Sequence, residues 1–167
     1  MKTLLLLRHG KSSWKQPDLP DHDRPLTQRG ELAAKRMGRL LRELDLVPES
    51  ILTSDAIRAH ETATRVATAA RFAGELEVCG DLYHAEPKQL AEVVAGVPDQ
   101  IGRVLLVGHN PGLSDWLNQL TGEYDDFPTA ALACIELPLD SWRALSPGSR
   151  GKLSGIWRPR ELVDDAH

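Results

Sequence analysis

The chain has 167 residues, 41% hydrophobic and 26% charged, enough for one compact domain whose core needs neither disulfides nor structural metal. A net charge of −4, with the charges well mixed, argues against a general nucleic-acid binder, and no apolar stretch has the length to span a membrane. Cys79 and Cys134 lie far apart and in no metal-ligand spacing, which fits two free thiols in a reducing cytosol.

Thr3 to Leu7 is a short apolar run that stops at Arg8, His9 and Gly10, the pattern of a buried strand delivering polar residues at its carboxyl end. The run from Leu4 is too short for a signal peptide, so a soluble cytoplasmic protein is expected. Lys11 to Pro25 is rich in proline and aspartate, a loop too long to be only a connector. Thr27 caps the helix that follows, whose apolar positions Leu32, Ala33, Met37, Leu40, Leu41 and Leu44 recur at helical spacing until Pro48. Ser50 to Thr53 reads as a second strand, and Ser54 or Asp55 caps a helix over Ala56 to Arg71. Gly74 breaks that helix, and a third strand follows at Leu76 to Val78.

Pro87 to Ala95 is the third helix, with proline in its favoured first turn. Arg103 to Val107 is a strong strand signal running into Gly-His-Asn-Pro-Gly, and Gly112 to Leu120 a fourth helix. Two more strands, Leu132 to Leu137 and Gly151 to Trp157, complete the pattern. Alternating strands and helices imply an α/β fold: a single-domain three-layer α/β/α arrangement around a mainly parallel central sheet, with the last strands as antiparallel edges. The domain is expected over 1–160, with 161–167 as a C-terminal tail.

Ligands of such sheets bind beyond the carboxyl ends of strands, where His9 and His109 both sit. If those ends are neighbours, Arg8, His9, Arg58, His109 and Asn110 converge. Two guanidiniums and the start of the second helix suit a dianionic phosphate, because arginine offers a planar fork of donors. A neutral imidazole is a competent nucleophile, and cationic neighbours keep it neutral. A backbone carbonyl or a carboxylate would fix its tautomer.

Leu7-Arg8-His9-Gly10 resembles the RHG signature of the histidine phosphatase superfamily, which includes the phosphoglycerate mutases. The likeness continues through Pro25-Leu26-Thr27 with Gly30, Ser54 to Ala59 with Glu61-Thr62-Ala63, and Gly108-His109-Asn110. The short chain, the Arg-Pro-Leu-Thr block at Arg24 to Thr27 and the Gly-His-Asn-Pro-Gly block resemble the SixA-type phosphohistidine phosphatases most. The resemblance implies a phosphoglycerate mutase-like fold, a phosphohistidine intermediate on His9, and Arg8, Arg58 and His109 as phosphoryl ligands. It implies no metal and no cofactor.

Many relatives carry a glutamate after the third strand that protonates a leaving alcohol. Here that place holds Leu82-Tyr83-His84-Ala85-Glu86, so Glu86 or His84 would have to serve as general acid. A phosphohistidine carries a labile P–N bond and needs such help less. The segment between Tyr83 and Arg103 also leaves little chain for a lid, which suits a phosphorylated side chain presented by a protein. Phosphohistidine on a protein is therefore the expected substrate. The alternatives are a small-molecule phosphomonoesterase acting on a sugar phosphate or nucleotide, and a non-catalytic module that binds phosphoproteins. Neither nucleic acid nor membrane is an expected partner.

Lys11 and Ser12, so close behind His9, are candidate phosphate contacts. Asp21-His22-Asp23 reads as a solvated loop rather than a metal site, and His60 and His84 as surface or supporting residues. Trp14 and Trp116 are candidates to line the mouth of the site, though packing is the commoner role.

Overall fold

The structure is a computed structural model and describes residues 1–162. Its frame is one six-stranded sheet in the order β3-β2-β4-β1-β5-β6. The strands are β1 (Lys2–Arg8), β2 (Ser50–Thr53), β3 (Leu76–Val78), β4 (Arg103–Gly108), β5 (Leu132–Leu137) and β6 (Lys152–Trp157). Four of them, β1 to β4, are mutually parallel, whereas β5 runs antiparallel to both of its neighbours. The sequence pattern placed both last strands at an edge. Only β6 is one, because β5 pairs along its length with β1 and lies inside the sheet.

Helices α1 (Gln28–Glu43) and α2 (Ile57–Ala70) cover one face of the sheet, and α3 (Pro87–Ala95) and α4 (Gly112–Thr121) the other. The alternation of side chains along a strand dictates this division. Leu4 and Leu6 join the core under α3 and α4, while Leu5 and Leu7 join the core under α1 and α2. A run of four leucines is thus buried on both faces, and the three-layer α/β/α arrangement stands. Among the described residues no helix is long and apolar enough to cross a membrane.

Helix boundaries differ modestly from expectation. Thr27 does cap α1, its Oγ1 accepting the Gly30 N–H at 3.0 Å. The helix ends at Glu43, so Leu44 lies beyond it, and Leu32 is 59% exposed rather than in the core stripe. Neither Ser54 nor Asp55 is the N-cap of α2; Ala56 is, and Arg71 closes the helix in the left-handed region at φ 59°. Residues 163–167 of the expected tail lie outside the described residues.

Candidate active site

Register brings the two histidines together. Arg8 of β1 stands opposite Gly108 of β4, so the chains emerge side by side, and the His9 N–H donates to the Gly108 carbonyl at 3.1 Å. The imidazole centroids lie 5.1 Å apart. One strand further across, Thr53 of β2 pairs with Val107, which sets Ser54 against His109. The His109 Nε2 is 2.8 Å from Ser54 Oγ, which also accepts the Ala56 N–H at 3.2 Å.

His9 is buried, and its Nδ1 lies 2.7 Å from the Gly10 carbonyl oxygen. A carbonyl only accepts, so Nδ1 carries the hydrogen and Nε2 presents the lone pair. Burial pulls the His9 pKa down to about 4, helped by the charges of Arg58, Arg8 and Arg24 and opposed by the bond to Gly10. His109 falls to about 3, again chiefly through burial, with His9, Arg58 and His84 adding to it and Asp21 opposing. Both rings are neutral at pH 7. His109 Nδ1 is buried and has no hydrogen-bond partner among the described residues.

Two glycines explain why the loop after β1 can seat so closely on α1. A Cβ at Gly10 would come 2.9 Å from the Gly30 carbonyl oxygen, and one at Gly30 would meet the Lys11 oxygen at 2.4 Å. The Gly10 N–H donates to Thr62 Oγ1 at 2.9 Å, and that hydroxyl donates to the Arg58 carbonyl at 2.7 Å. Glu61 Oε1 accepts the Leu26 N–H at 2.9 Å. The Glu61-Thr62 pair thereby fastens both ends of the long loop to α2, the helix that carries Arg58.

Arg58 is buried and does not stand alone. Its Nη1 donates to the Asp21 carbonyl at 2.7 Å and its Nη2 to Asp21 Oδ2 at 3.0 Å. Tyr83 donates its hydroxyl hydrogen to the same Oδ2 at 2.6 Å, and Arg24 Nη1 donates to Oδ1 at 3.0 Å. The Tyr83 bond and the two guanidiniums hold the Asp21 carboxyl well below the usual carboxylate range. Burial and Asp21 together push the Tyr83 phenol upward, so it stays protonated. The stretch read as a solvated loop is therefore wired into the site: Asp21 is its hub, and His22 Nε2 reaches Asp55 Oδ1 at 3.0 Å.

Comparison with known proteins identifies the family and the fold. The profile of the histidine phosphatase superfamily (branch 1) matches residues 4–83. An uncharacterized chloroplastic protein of Arabidopsis thaliana is 33% identical across 97% of this chain and 80% of its own length. An uncharacterized protein of Mycobacterium tuberculosis is 32% identical across 92% of this chain and 100% of its own. The structure of a candidate phosphohistidine phosphatase SixA from Agrobacterium tumefaciens superimposes with a TM-score of 0.81 at 26% identity, over 95% of this chain and 98% of that one. The chain belongs to the histidine phosphatase superfamily. It is a phosphatase of SixA type, with the phosphoglycerate mutase-like fold.

In this phosphatase the outer candidates fare differently from the inner four. Asn110 is fully engaged in structure: Nδ2 donates to the Asp126 and Phe127 carbonyls at 3.1 and 2.8 Å, and Oδ1 accepts the Ser114 N–H at 3.3 Å. The Phe127 carbonyl also takes Arg8 Nη1 at 3.4 Å, so Asn110 steadies the backbone that orients Arg8. Ser12 Oγ accepts from Arg24 Nη2, and Lys11 is exposed and turned to a groove along α1. Glu86 is the exposed N-cap of α3, in a capping box where Gln89 Oε1 accepts its N–H at 2.9 Å. His84, at φ 60°, stacks on Tyr83 with centroids 3.8 Å apart, and Tyr83 meets His109 edge-on at 5.4 Å. Trp116 is buried core, whereas Trp14 is exposed and lies under the Arg24 guanidinium, 3.3 Å from it.

Sequence reasoning missed Asp21, Tyr83, Ser54 and Thr62 as parts of this constellation. One signal was available for Thr62 and Ser54, which stand inside the blocks that carried the family resemblance. Nothing local marks Asp21 as part of the site, because Arg58 and Tyr83, which tie it there, are 37 and 62 residues away.

Proposed function

We propose that this phosphatase hydrolyses phosphohistidine on proteins, with His9 as the nucleophile. The observation that carries the reading is the Nδ1–H bond of a neutral His9 to Gly10, which leaves Nε2 as a free base at pH 7. The substrate imidazole is protonated from solvent on the ring nitrogen away from phosphorus. The Nε2 lone pair of His9 attacks phosphorus, the bond from phosphorus to the substrate ring breaks, and that ring leaves neutral with the electron pair. Water then attacks the phospho-His9, the P–Nε2 bond breaks, and phosphate departs with the ring returned to its starting state.

Arg8 and Arg58 hold the phosphoryl oxygens. Arg58 keeps Nε–H and one hydrogen on each terminal nitrogen beyond those given to Asp21. Ser54 Oγ, accepting from Ala56, is free to donate to His109 Nε2; the ring hydrogen then sits on the unpartnered Nδ1, ready for a phosphoryl oxygen as charge spreads. The phosphohistidine substrate is supported by the state of the neighbouring acids. Asp21 is held as a carboxylate and Glu86 serves the α3 terminus, so neither is placed to protonate an alkoxide. A leaving imidazole takes its proton from solvent on the ring nitrogen away from phosphorus, and so needs no enzyme acid. Two free cysteines fit the reducing cytoplasm in which such a protein would act.

The deciding experiment is phosphate release by wild type and His9→Ala, with a phosphohistidine peptide and p-nitrophenyl phosphate side by side. Faster cleavage of the peptide, its loss in His9→Ala, and an acid-labile, base-stable phosphoenzyme are expected. Preference for the ester would overturn the substrate; activity in His9→Ala would overturn the nucleophile.

A further inference from the structure

The outer face of α1 is basic where a surface helix usually mixes its charges. Arg29, Leu32, Arg36 and Arg39 follow at spacings of three and four, so they share one side of the helix. Opposite them runs the segment of Arg158 and Arg160, and between the two walls lies a groove of about 630 Å³. Among the described residues fourteen line it, of which seven are lysine or arginine and none is acidic, in a chain whose net charge is −4. Arg36 is paired with Glu43 at 3.2 Å, and Arg158 with Asp125 and Glu161. Among the described residues, the other five cations of the groove, Lys11, Arg29, Lys35, Arg39 and Arg160, make no ion pair within 4.0 Å.

The groove begins where the catalytic centre ends. Lys11, two residues past His9, lines it, and Gly30 in its floor packs against the Lys11 backbone. Thr129, on the other rim, precedes Ala130, whose N–H donates to the Arg8 and His9 carbonyls at 3.1 and 3.0 Å. The floor is apolar, with Leu32 59% exposed, Ala33 and Leu162. We propose that this groove docks an acidic, partly apolar face of the phosphoprotein whose phosphohistidine enters the His9 site. The proposal rests on the substrate reading above. Charge complementarity selects acid, and the exposed Leu32 asks for an apolar side chain beside it. Among the described residues no aromatic lines the groove to stack on bases, and the acidic remainder of the chain repels extended polyanions such as nucleic acid or an anionic bilayer.

The test uses two phosphohistidine peptides that differ only in flanking Asp/Glu against Asn/Gln, with phosphoramidate as the small substrate. Wild type should show the lower KM for the acidic peptide, an advantage that fades as salt rises. The double variant Lys35→Glu/Arg39→Glu should raise that KM about tenfold with kcat unchanged. Its phosphoramidate turnover should match wild type, which also shows that it is folded. Equal KM values for the two peptides, or an unchanged KM in the variant, would overturn the docking surface. Fluorescence anisotropy with the acidic peptide lacking phosphate tests the groove without catalysis. Should wild type cleave neither peptide yet hydrolyse p-nitrophenyl phosphate, the substrate reading fails, and this binding arm still decides the groove. Tighter binding of a single-stranded RNA or of phosphatidylserine vesicles than of the acidic peptide would overturn the occupant.

Discussion

Thr62 is fully buried and makes two hydrogen bonds with one hydroxyl, to the Gly10 N–H at 2.9 Å and the Arg58 carbonyl at 2.7 Å. It is the shortest link between the residue that fixes the His9 tautomer and the helix that carries Arg58. Thr62→Val keeps the shape and removes the acceptor, leaving a buried amide hydrogen unsatisfied at a cost of about 1–3 kcal/mol. A loss near the middle of that range lowers Tm by about 6 °C in a domain of this size. Thr62→Ser is the matched control: it keeps the hydroxyl and deletes one buried methyl, at about 1 kcal/mol.

The two variants should separate in activity more than in stability. Without its tether Gly10 drifts, the Nδ1–H bond of His9 loosens, and the nucleophilic nitrogen leaves its line of attack. A displacement on the order of 1 Å costs up to about a hundredfold, so Thr62→Val should lose about ten- to a hundredfold in kcat/KM while Thr62→Ser stays close to wild type. Thermal denaturation followed by circular dichroism, with phosphate release from phosphoramidate, reads both quantities. If Thr62→Val is as active as Thr62→Ser at equal fraction folded, the tether does not position the nucleophile and the reasoning fails.

The depressed pKa values of His9 and His109 set a pH window. The unfolded chain binds these protons near pH 6.5 and the folded protein only near 4 and 3, so stability is full above 6.5 and falls as pH drops through 4. Urea midpoints should therefore fall steadily from pH 6.5 to 4, and kcat/KM on p-nitrophenyl phosphate should show no acid limb centred on the ordinary histidine value. A midpoint flat across that range would refute the assignment. Asp21→Asn keeps a polar side chain against Arg58 but deletes a negative charge beside the anion site, about 1 kcal/mol in binding. The inhibition constant of inorganic phosphate should fall about fivefold; an unchanged or weaker inhibition would sink the idea. Gly30→Ala gains helix propensity of about 1 kcal/mol, yet its Cβ would sit 2.4 Å from the Lys11 oxygen. It should destabilise the protein in urea, and net stabilisation would show that the loop yields without cost.

The four central side chains were legible because each stands at a place where strand and helix geometry leaves few options. A strand followed at once by Arg8, His9 and Gly10 delivers them at the sheet's carboxyl edge, and β4 does the same for His109. Pairing of β1 with β4 then needs no further information. Asp21 was not legible for the opposite reason. It lies in a loop whose path is fixed by remote contacts: the Ser12 bridge to Leu26, the Glu61 bond to the Leu26 N–H, and the Arg58 fork itself. Leu32 is apolar but falls on the outward face of α1 with Arg29, Arg36 and Arg39, across the helix from the buried stripe of Ala34, Met37 and Leu41. An apolar side chain within a helix is a candidate for the core, but its angular position decides whether it faces it.

One set of charges serves two tasks at the site. Burial and three guanidiniums lower the basicity of His9, and the same cations attract a phosphoryl dianion, so the neutral nucleophile and the bound substrate have a common electrostatic cause. Taken alone, that arrangement would also bind the product phosphate tightly. Asp21 acts against it, since its carboxylate engages Arg58 and Arg24 and sets a negative charge at the rim of the anion site. Tyr83, by donating to the same carboxylate, keeps that charge from collapsing onto Arg58 alone and ties it to the ring that packs against His109. On the proposed mechanism the transfer step uses the full cationic field over a short distance, whereas departure of free phosphate is assisted by the carboxylate just outside. Asp21 is therefore expected to ease the release of phosphate, the effect that the inhibition constant of Asp21→Asn measures.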